Sequence, residues 1–282
     1  MNSKNKIQNY IQYFLLITSF ITCFFHTFTW LDYRYSQVDS YYAHGYFVPF
    51  ISVWLIYLKW DQLKNIKISS NIFGLVLILF ALLIHIIAVM SDINFISGFA
   101  VFFYLAGSVL YLCGTAAFKM VIFPILFLLF MFPVPGQFID IIGLPTKSLA
   151  TALSLKIIDF AGIPYYQEGF RIILPETIMY VGTPCNGMKS LISFLAMGLL
   201  AAYITNLSLW KKIFVVIGVY PLAVLLNGCR IAMLIFIADT YGIKKASPES
   251  YLHDLSGIIV FAAGLIIIFF TINFWKPKSE NK

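Results

Sequence analysis

The stretch Ile72–Met90, IFGLVLILFALLIHIIAVM, is almost entirely apolar and contains no Asp, Glu, Lys or Arg. About 20 apolar residues are enough to cross the hydrocarbon core of a membrane as one α-helix. A helix is the form that such a stretch takes in lipid, because it satisfies its backbone hydrogen bonds internally. Ile72–Met90 therefore predicts a transmembrane helix.

The composition of the whole chain points the same way. Of its 282 residues, 61% are hydrophobic and only 11% are charged, a balance that soluble domains of this size do not show. We predict an all-α polytopic membrane helical bundle that forms a single domain over residues 1–282. The first apolar run is long and lacks a small-residue cleavage site, so we interpret it as a retained helix. Eight runs predict spans, at 11–30, 47–58, 72–90, 95–113, 119–133, 187–206, 213–236 and 253–275.

The formal net charge of +7 comes from Lys and Arg residues scattered among short connections. This pattern is typical of topology signals, so we expect no nucleic-acid partner. By the positive-inside rule, both termini face the cytoplasm. Every second connection, counted from the N-terminus, falls on this cytoplasmic side. These connections and the termini carry Lys4, Lys6, Lys59, Lys64, Lys67, Lys119, Lys211, Lys212, Lys276, Lys278 and Lys282.

The 134–186 segment is the long connection on the opposite side. Within 138–162, apolar residues recur at helical spacing among four charged residues, which predicts an amphipathic helix in the outer membrane interface rather than a ninth span. Residues 166–180 alternate and contain β-formers, so they predict a small hairpin on the outer face. The four charged residues are Asp140, Lys147, Lys156 and Asp159.

The four cysteines show no CxxC pair and no metal-like spacing with the histidines. Neither a disulfide framework nor a metal site is predicted, and no cofactor is expected. Three of the thiols, Cys23, Cys113 and Cys229, are best interpreted as small apolar residues.

Three chemically distinctive residues fall at one depth. Cys185 opens the sixth span on the outer side, and His253 opens the eighth. Arg230 lies about 27 Å along the seventh span from Lys212, beyond the midplane toward the outer leaflet. Such an arginine costs about 2.5–3.5 kcal/mol even on a lenient insertion scale. Cys185 alone fits a packing residue equally well and His253 alone an interfacial one, but their common depth favours one site.

The three residue types fit acyl transfer. A cysteine thiolate is a nucleophile, and a helix N-terminus, a guanidinium or an imidazolium favours its formation. His253 could exchange the proton of a leaving amine, and Arg230 could stabilise the oxyanion of a tetrahedral intermediate. The predicted chemistry is acyl transfer through a thioester.

The segments that carry these residues resemble three signature blocks of the exosortase/archaeosortase family. They are Pro184–Ser190 (PCNGMKS), Asn227–Arg230 (NGCR) and His253 with the following Ser256-Gly257. Members of this family are polytopic membrane transpeptidases thought to process proteins that carry a C-terminal sorting tail. The resemblance runs from about residue 40 to 257 and includes SYYAHGYFVP at 40–49, FPVP at 132–135, and the GIP and EG elements at 162–164 and 168–169.

The resemblance implies that Cys185 is the nucleophile, that Arg230 stabilises the intermediate and that His253 is the third catalytic group. A histidine at 253, where archaeal relatives are expected to carry arginine, indicates the bacterial exosortase branch. The chain departs from the family at Asn186 and Lys189, where serine and arginine are usual. The residues expected to support catalysis or bind substrate are Asn186, Gly187, Lys189, Asn227 and His44.

The expected function is a cysteine peptidase and transpeptidase in the bacterial inner membrane, with its site on the periplasmic side. Its partners would be tailed secreted proteins, membrane lipid and a polysaccharide or lipid acceptor. The alternative is a non-catalytic component of exopolysaccharide or lipid export, in which Arg230 binds an anionic head group. A transporter predicts related halves with paired polar residues near the midplane, and neither is visible. His44 equally fits an aromatic belt with neighbouring tyrosines, while His26 and His85 receive no function.

Overall fold

The computed structural model describes residues 3–37, 40–182 and 185–276. The chain is an all-α polytopic membrane bundle with one small sheet. The helices are α1 Ser3–Ser36, α2 Val48–Tyr57, α3 Trp60–Lys64, α4 Ile72–Met90, α5 Asn94–Phe127, α6 Gly136–Phe160, α7 Met188–Ile204, α8 Leu209–Tyr241, α9 Ile243–Ala246 and α10 Tyr251–Trp275. The strands are β1 Tyr166–Glu168, β2 Arg171–Ile173 and β3 Ile178–Tyr180, and 3-10 turns occupy Ala43–Tyr46 and Leu128–Met131.

Each of the eight predicted apolar runs is helical. Two of the helices, Ala43–Tyr57 with its 3-10 turn and Met188–Ile204, are shorter than a full span, so the number of eight crossings stays a prediction. Six segments of the described chain are long and apolar enough to cross a membrane: Ile11–Ser36, Ile72–Met90, Asn94–Met131, Gly136–Phe160, Leu209–Tyr241 and Tyr251–Trp275.

The chain divides into two compact units, Met1–Pro135 and Gly136–Lys282. In the first unit, α5 contains a break at Gly114, whose φ of 86° and ψ of 179° favour glycine. The Phe132 ring fills the space that a side chain at Gly98 would occupy, although one straight helix would separate these residues by about 50 Å. The predicted spans 95–113 and 119–133 are therefore two antiparallel helices. That the whole chain forms a single domain stays a prediction.

The connections of the first unit lie at opposite ends, as the order of the predicted spans requires. Asn71, which begins α4, donates to Thr115 Oγ1 at 3.0 Å beside the break in α5 and close to Lys119. At the other end, the Tyr35 hydroxyl donates to the carbonyl of Met131. Which end faces the cytoplasm stays a prediction.

His85 takes part in a buried polar contact between helices of the first unit. Its Nδ1 lies 2.8 Å from Ser97 Oγ, and Ser97 also hydrogen-bonds Thr27. Hydrogen bonding of this kind satisfies polar groups that would be costly alone in an apolar interior. His85 thus has a structural role that joins α1, α4 and α5.

In the second unit, α8 contacts α6, α7 and α10 along its length. The close approach of α6 is set by Gly228, where a Cβ would meet the Ala150 carbonyl at 3.1 Å. The first turns of α7 and α10 meet α8 near Asn227 and Arg230 respectively. The second unit therefore brings the three predicted catalytic segments onto the same part of α8.

The hairpin predicted within 166–180 is confirmed and has a third strand, whereas its location on the outer face stays a prediction. β1, β2 and β3 pair antiparallel in chain order, with Ile172 opposite both Gln167 and Met179. Ile172 and Met179 are buried in an apolar cluster that includes Ile231 and Ile235 of α8. The sheet therefore packs through one face onto α8 within the second unit.

Residues 138–162 are helical, as predicted, within α6. This helix is itself long and apolar enough to cross a membrane, so its placement in the outer interface stays a prediction. Asp140, Lys156 and Asp159 are exposed, as expected for a polar face. The prediction that Lys147 belongs to this polar face is wrong, because only 8% of its surface is exposed.

Candidate active site around Cys185

Cys185 lies in the tight turn that opens α7. The backbone N–H of Met188 donates to Asn186 Oδ1 at 3.0 Å, so the asparagine satisfies one of the unpaired donors at the helix start. A serine hydroxyl can accept the same kind of bond. Asn186 can therefore replace the serine that is usual at this position of the family without loss of the helix cap. The thiol therefore stands beside a helix N-terminus, where negative charge is favoured. Pro184, the first residue of the predicted signature block, lies outside the described residues.

Gly187 and Asn227 fix this turn against α8. Gly187 has a φ of 74°, and a Cβ there would lie 3.1 Å from Asn227 Nδ2. The same Nδ2 donates to the Cys185 carbonyl oxygen at 2.7 Å, and the residues on both sides of this bond are buried. Three of the predicted supporting residues, Asn186, Gly187 and Asn227, thus shape the backbone that carries the thiol.

Replacing Gly187 with alanine is expected to lower the thermal unfolding temperature of the detergent-solubilised protein. A left-handed conformation costs a residue with a Cβ about 1 kcal/mol or more, and the new methyl group crowds Asn227. Gly218→Ala is the matched control, because it lies inside α8, where a new Cβ would meet no atom within 4 Å. The control should match or exceed the wild-type unfolding temperature, and equal effects in the two variants would contradict the role of Gly187.

Arg230 lies one turn beyond Asn227 on α8 and faces the start of α10. Its Nε donates to Ser256 Oγ at 3.4 Å, and the missing side chain of Gly257 leaves space for the guanidinium, since a Cβ would lie 3.3 Å from Nη2. Among the residues that the structure describes, no carboxylate lies within ion-pair distance of Arg230. Its half-buried charge is therefore available to an anionic group.

His253 is buried in the first turn of α10. Its Nδ1 donates to the Ala246 carbonyl at 3.1 Å, and because a carbonyl only accepts, this bond places the proton of a neutral ring on Nδ1. Ser256 Oγ donates to the His253 carbonyl at 2.6 Å and so joins the histidine turn to Arg230. The Nε2 atom of the neutral ring is left as a proton acceptor.

The charge of Arg230 acts on both Cys185 and His253. No hydrogen bond between Cys185 and His253 is present among the described contacts, so the arginine is their common neighbour. Burial raises the pKa of the Cys185 thiol above its ordinary value, and the charges of Arg230 and Lys147 offset only part of that rise. The resting thiol is therefore protonated at neutral pH, and its attack requires removal of the proton.

Lys147 is a site residue that the sequence pattern did not reveal as such. It lies on the face of α6 that also carries the buried small residues Gly143, Ala150 and Ser154. Its Nζ lies 3.9 Å from the ring centroid of Phe170. The signal for its burial was this spacing of small residues at i−4, i+3 and i+7, which places the lysine on the packed side of the helix.

Two other predicted residues are placed differently. Lys189 is exposed on the first turn of α7, so a role in binding substrate stays a prediction. His44 belongs to the first unit, within the 3-10 turn, where its ring centroid lies 5.9 Å from that of Tyr42. This aromatic contact agrees with the interfacial interpretation of His44.

All four cysteines are free thiols. Within the described ranges, no group of three or more His, Cys, Asp and Glu side chains is arranged to hold a metal ion. The reactive groups that the described residues bring to the site are the thiol, the imidazole and the two cations.

Comparison with known protein families decides what kind of protein this is. The family model for transmembrane exosortases matches residues 30–270, which covers both units and all three segments around Cys185. The chain belongs to the transmembrane exosortase family. No curated protein and no solved structure matches it. This exosortase is accordingly a multi-pass membrane protein.

Proposed function

We propose that this exosortase is a membrane cysteine peptidase and transpeptidase whose nucleophile is Cys185. The observation that carries the proposal is a buried thiol at a helix N-terminus, acted on by two cations that have no carboxylate partner among the described residues. Two such cations stabilise negative charge that develops on a reacting group during the reaction. A thiolate followed by a tetrahedral oxyanion supplies that charge.

In the proposed first step, Nε2 of neutral His253 accepts the thiol proton and the Cys185 sulfur bonds to the scissile carbonyl carbon. The carbonyl π electrons move to oxygen, and Arg230 stabilises the oxyanion. No hydrogen bond joins the thiol to the imidazole in the resting structure, so bound substrate or one water molecule completes the proton path, as is common in catalytic sites without substrate.

The intermediate then collapses. The C–N bond breaks, the imidazolium of His253 gives its proton to the leaving amine, and a thioester remains on Cys185. An acceptor nucleophile attacks the thioester, loses its proton to His253, and displaces the thiolate. If the acceptor is an amine, the new C-terminus is ligated, whereas water gives hydrolysis.

The proposed substrate is a secreted protein held by a C-terminal tail with a short motif, one hydrophobic span and a basic cluster. The charges of the loops support a bacterial inner-membrane location with the site on the periplasmic side. The acceptor would be an amine or another nucleophile on a polysaccharide or a lipid. Within this proposal, the uncleaved span of the substrate lies in the membrane beside the enzyme.

A thioester adduct is the expected signature of this function. When the protein is co-expressed with a tailed secreted protein from the same genome, an adduct should form on the peptide containing Cys185. Neutral hydroxylamine should release it as the hydroxamate, since hydroxylamine cleaves thioesters but spares amides. Mass spectrometry detects both species, and Cys229→Ala is the control that should retain the adduct. An adduct on another cysteine, or none while the tail is being removed, would contradict the proposal.

A further inference from the structure

Lys147 is a buried cation with an unusual environment. Its side chain is largely covered, since only 8% of the residue surface is exposed. Nζ lies 3.9 Å from the ring centroid of Phe170 and 5.0 Å from that of Tyr180. A cation within about 6 Å of an aromatic face is attracted by the ring, and more strongly where water is excluded. Phe170 in the turn between β1 and β2 and Tyr180 in β3 therefore supply two rings that hold the ammonium group.

The rings do not neutralise the charge. Among the described residues, no carboxylate lies within ion-pair distance of Lys147. A buried ammonium without a counter-ion is costly, and lysine residues are rarely buried unless they are paired. An electrostatic function near this position would account for retaining such a residue on a packed helix face.

The face of α6 that carries Lys147 packs against the Cys185 turn. Gly143 precedes it by one helical turn on the same face of α6, and a Cβ there would lie 3.3 Å from Asn186 Nδ2. On the sheet side, the Val181 N–H donates to the Phe170 carbonyl at 2.9 Å, which ties the chain leading to Cys185 to the residue under the ammonium. Cys185 and the sheet belong to one apolar cluster, against which Phe170 packs.

The charged groups that act on Cys185 come from two helices. α8 supplies Arg230 and α6 supplies Lys147. From α7, Lys189 is exposed, and on α10 His253 is coupled to Arg230. The sheet contributes the Tyr180 ring beneath Lys147. Both charges acting on the thiol are positive, so they act in the same direction.

We propose that Lys147 is the second cation of the Cys185 site, held over Phe170 and Tyr180 by the sheet so that its charge stabilises the Cys185 thiolate. This inference rests on the proposed function only in treating Cys185 as the reactive group. In this proposal the sheet has a function at the site, because its rings fix the position of the Lys147 ammonium group. The two cations then have different roles: Arg230 stabilises the oxyanion of the intermediate, and Lys147 stabilises the thiolate of Cys185.

The test measures alkylation of Cys185 by iodoacetamide against pH in the full-length protein in detergent, with Cys23, Cys113 and Cys229 changed to serine. In Lys147→Met, the midpoint of the alkylation profile should move to higher pH, and the rate near neutral pH should fall about tenfold, as expected for loss of a nearby opposite charge. The rate at the high-pH plateau should not change, because access to the thiol is the same. Lys147→Arg keeps the positive charge and should therefore move the midpoint less than Lys147→Met does.

Lys156→Met is the matched control, since it removes the same charge from an exposed position of the same helix. A wild-type profile in Lys147→Met, or the same shift in Lys156→Met, would overturn the inference. If Lys147→Met does not elute as a monodisperse species, the same alkylation profile is measured with Phe170→Leu. Its midpoint should also move to higher pH, and an unchanged midpoint would overturn the inference. The assay needs no substrate, so its failure leaves the proposed transpeptidase activity to be judged by substrate processing alone.

Discussion

Cys185→Ala is expected to abolish removal of the C-terminal tail. Loss of the nucleophile leaves no group to form the thioester, and deletion of the nucleophile of a serine protease costs about 10⁶-fold in kcat. The measurement is a comparison of tailed and processed substrate in cells that express either variant with the same secreted protein. Because Cys185 is buried and its carbonyl accepts from Asn227 through the backbone, alanine preserves that hydrogen bond and most of the packing.

Cys229→Ala is the control for this experiment, because it removes a thiol from α8, next to Arg230, without touching the described hydrogen bonds of the site. The control should process substrate at the wild-type rate. Unchanged processing in Cys185→Ala would refute the proposed nucleophile. It would favour the non-catalytic alternative, in which Arg230 binds an anionic lipid head group during exopolysaccharide or lipid export.

The helices were predictable because lipid allows few alternatives for an apolar run. The run Ile72–Met90 coincides with α4, and two separate spans were predicted on either side of Gly114, where the chain reverses. The order of the spans also predicted which connections of the first unit lie together. These features depend on local composition, which a single sequence contains in full.

The environment of Cys185 was only partly predictable. Counting residues along the spans predicted a common depth for Cys185, Arg230 and His253, but their actual contacts depend on side chains. Arg230 reaches Ser256 through Nε, and His253 turns its Nδ1 toward Ala246. Depth places residues in a layer and does not determine which of them touch.

Lys147 shows why the remainder could not be predicted. Its spacing among apolar residues was compatible with the polar face of an interfacial helix, and its burial depends on Phe170 and Tyr180, which come from strands and turns later in the chain. The third strand, Ile178–Tyr180, was also absent from the predicted hairpin. The small residues spaced around Lys147 indicate a packed face of α6, but their spacing does not determine which later segment covers that face.

Arg230→Gln is expected to reduce substrate processing by about 10²–10³-fold, the usual cost of removing one group that stabilises an oxyanion. The neutral amide keeps a donor near Ser256 but loses the charge that acts on both Cys185 and His253. Arg230→Lys should recover part of the activity, since it restores the charge without the planar fork of donors. Arg171→Gln is the matched control, because this exposed arginine pairs with Glu168 on the sheet, and it should process substrate normally.

The pH dependence separates two effects of this substitution. Arg230 lowers the pKa of the Cys185 thiol against the rise caused by burial, so its removal raises that pKa and leaves less thiolate at neutral pH. Raising the pH through the new midpoint restores the thiolate and should recover that share of the rate. The share due to oxyanion stabilisation should persist at the high-pH plateau, because deprotonation of the thiol does not replace the guanidinium. Full recovery at high pH would show that Arg230 acts on the nucleophile alone, and equal activity of Arg230→Gln and wild type at every pH would exclude it from the reaction.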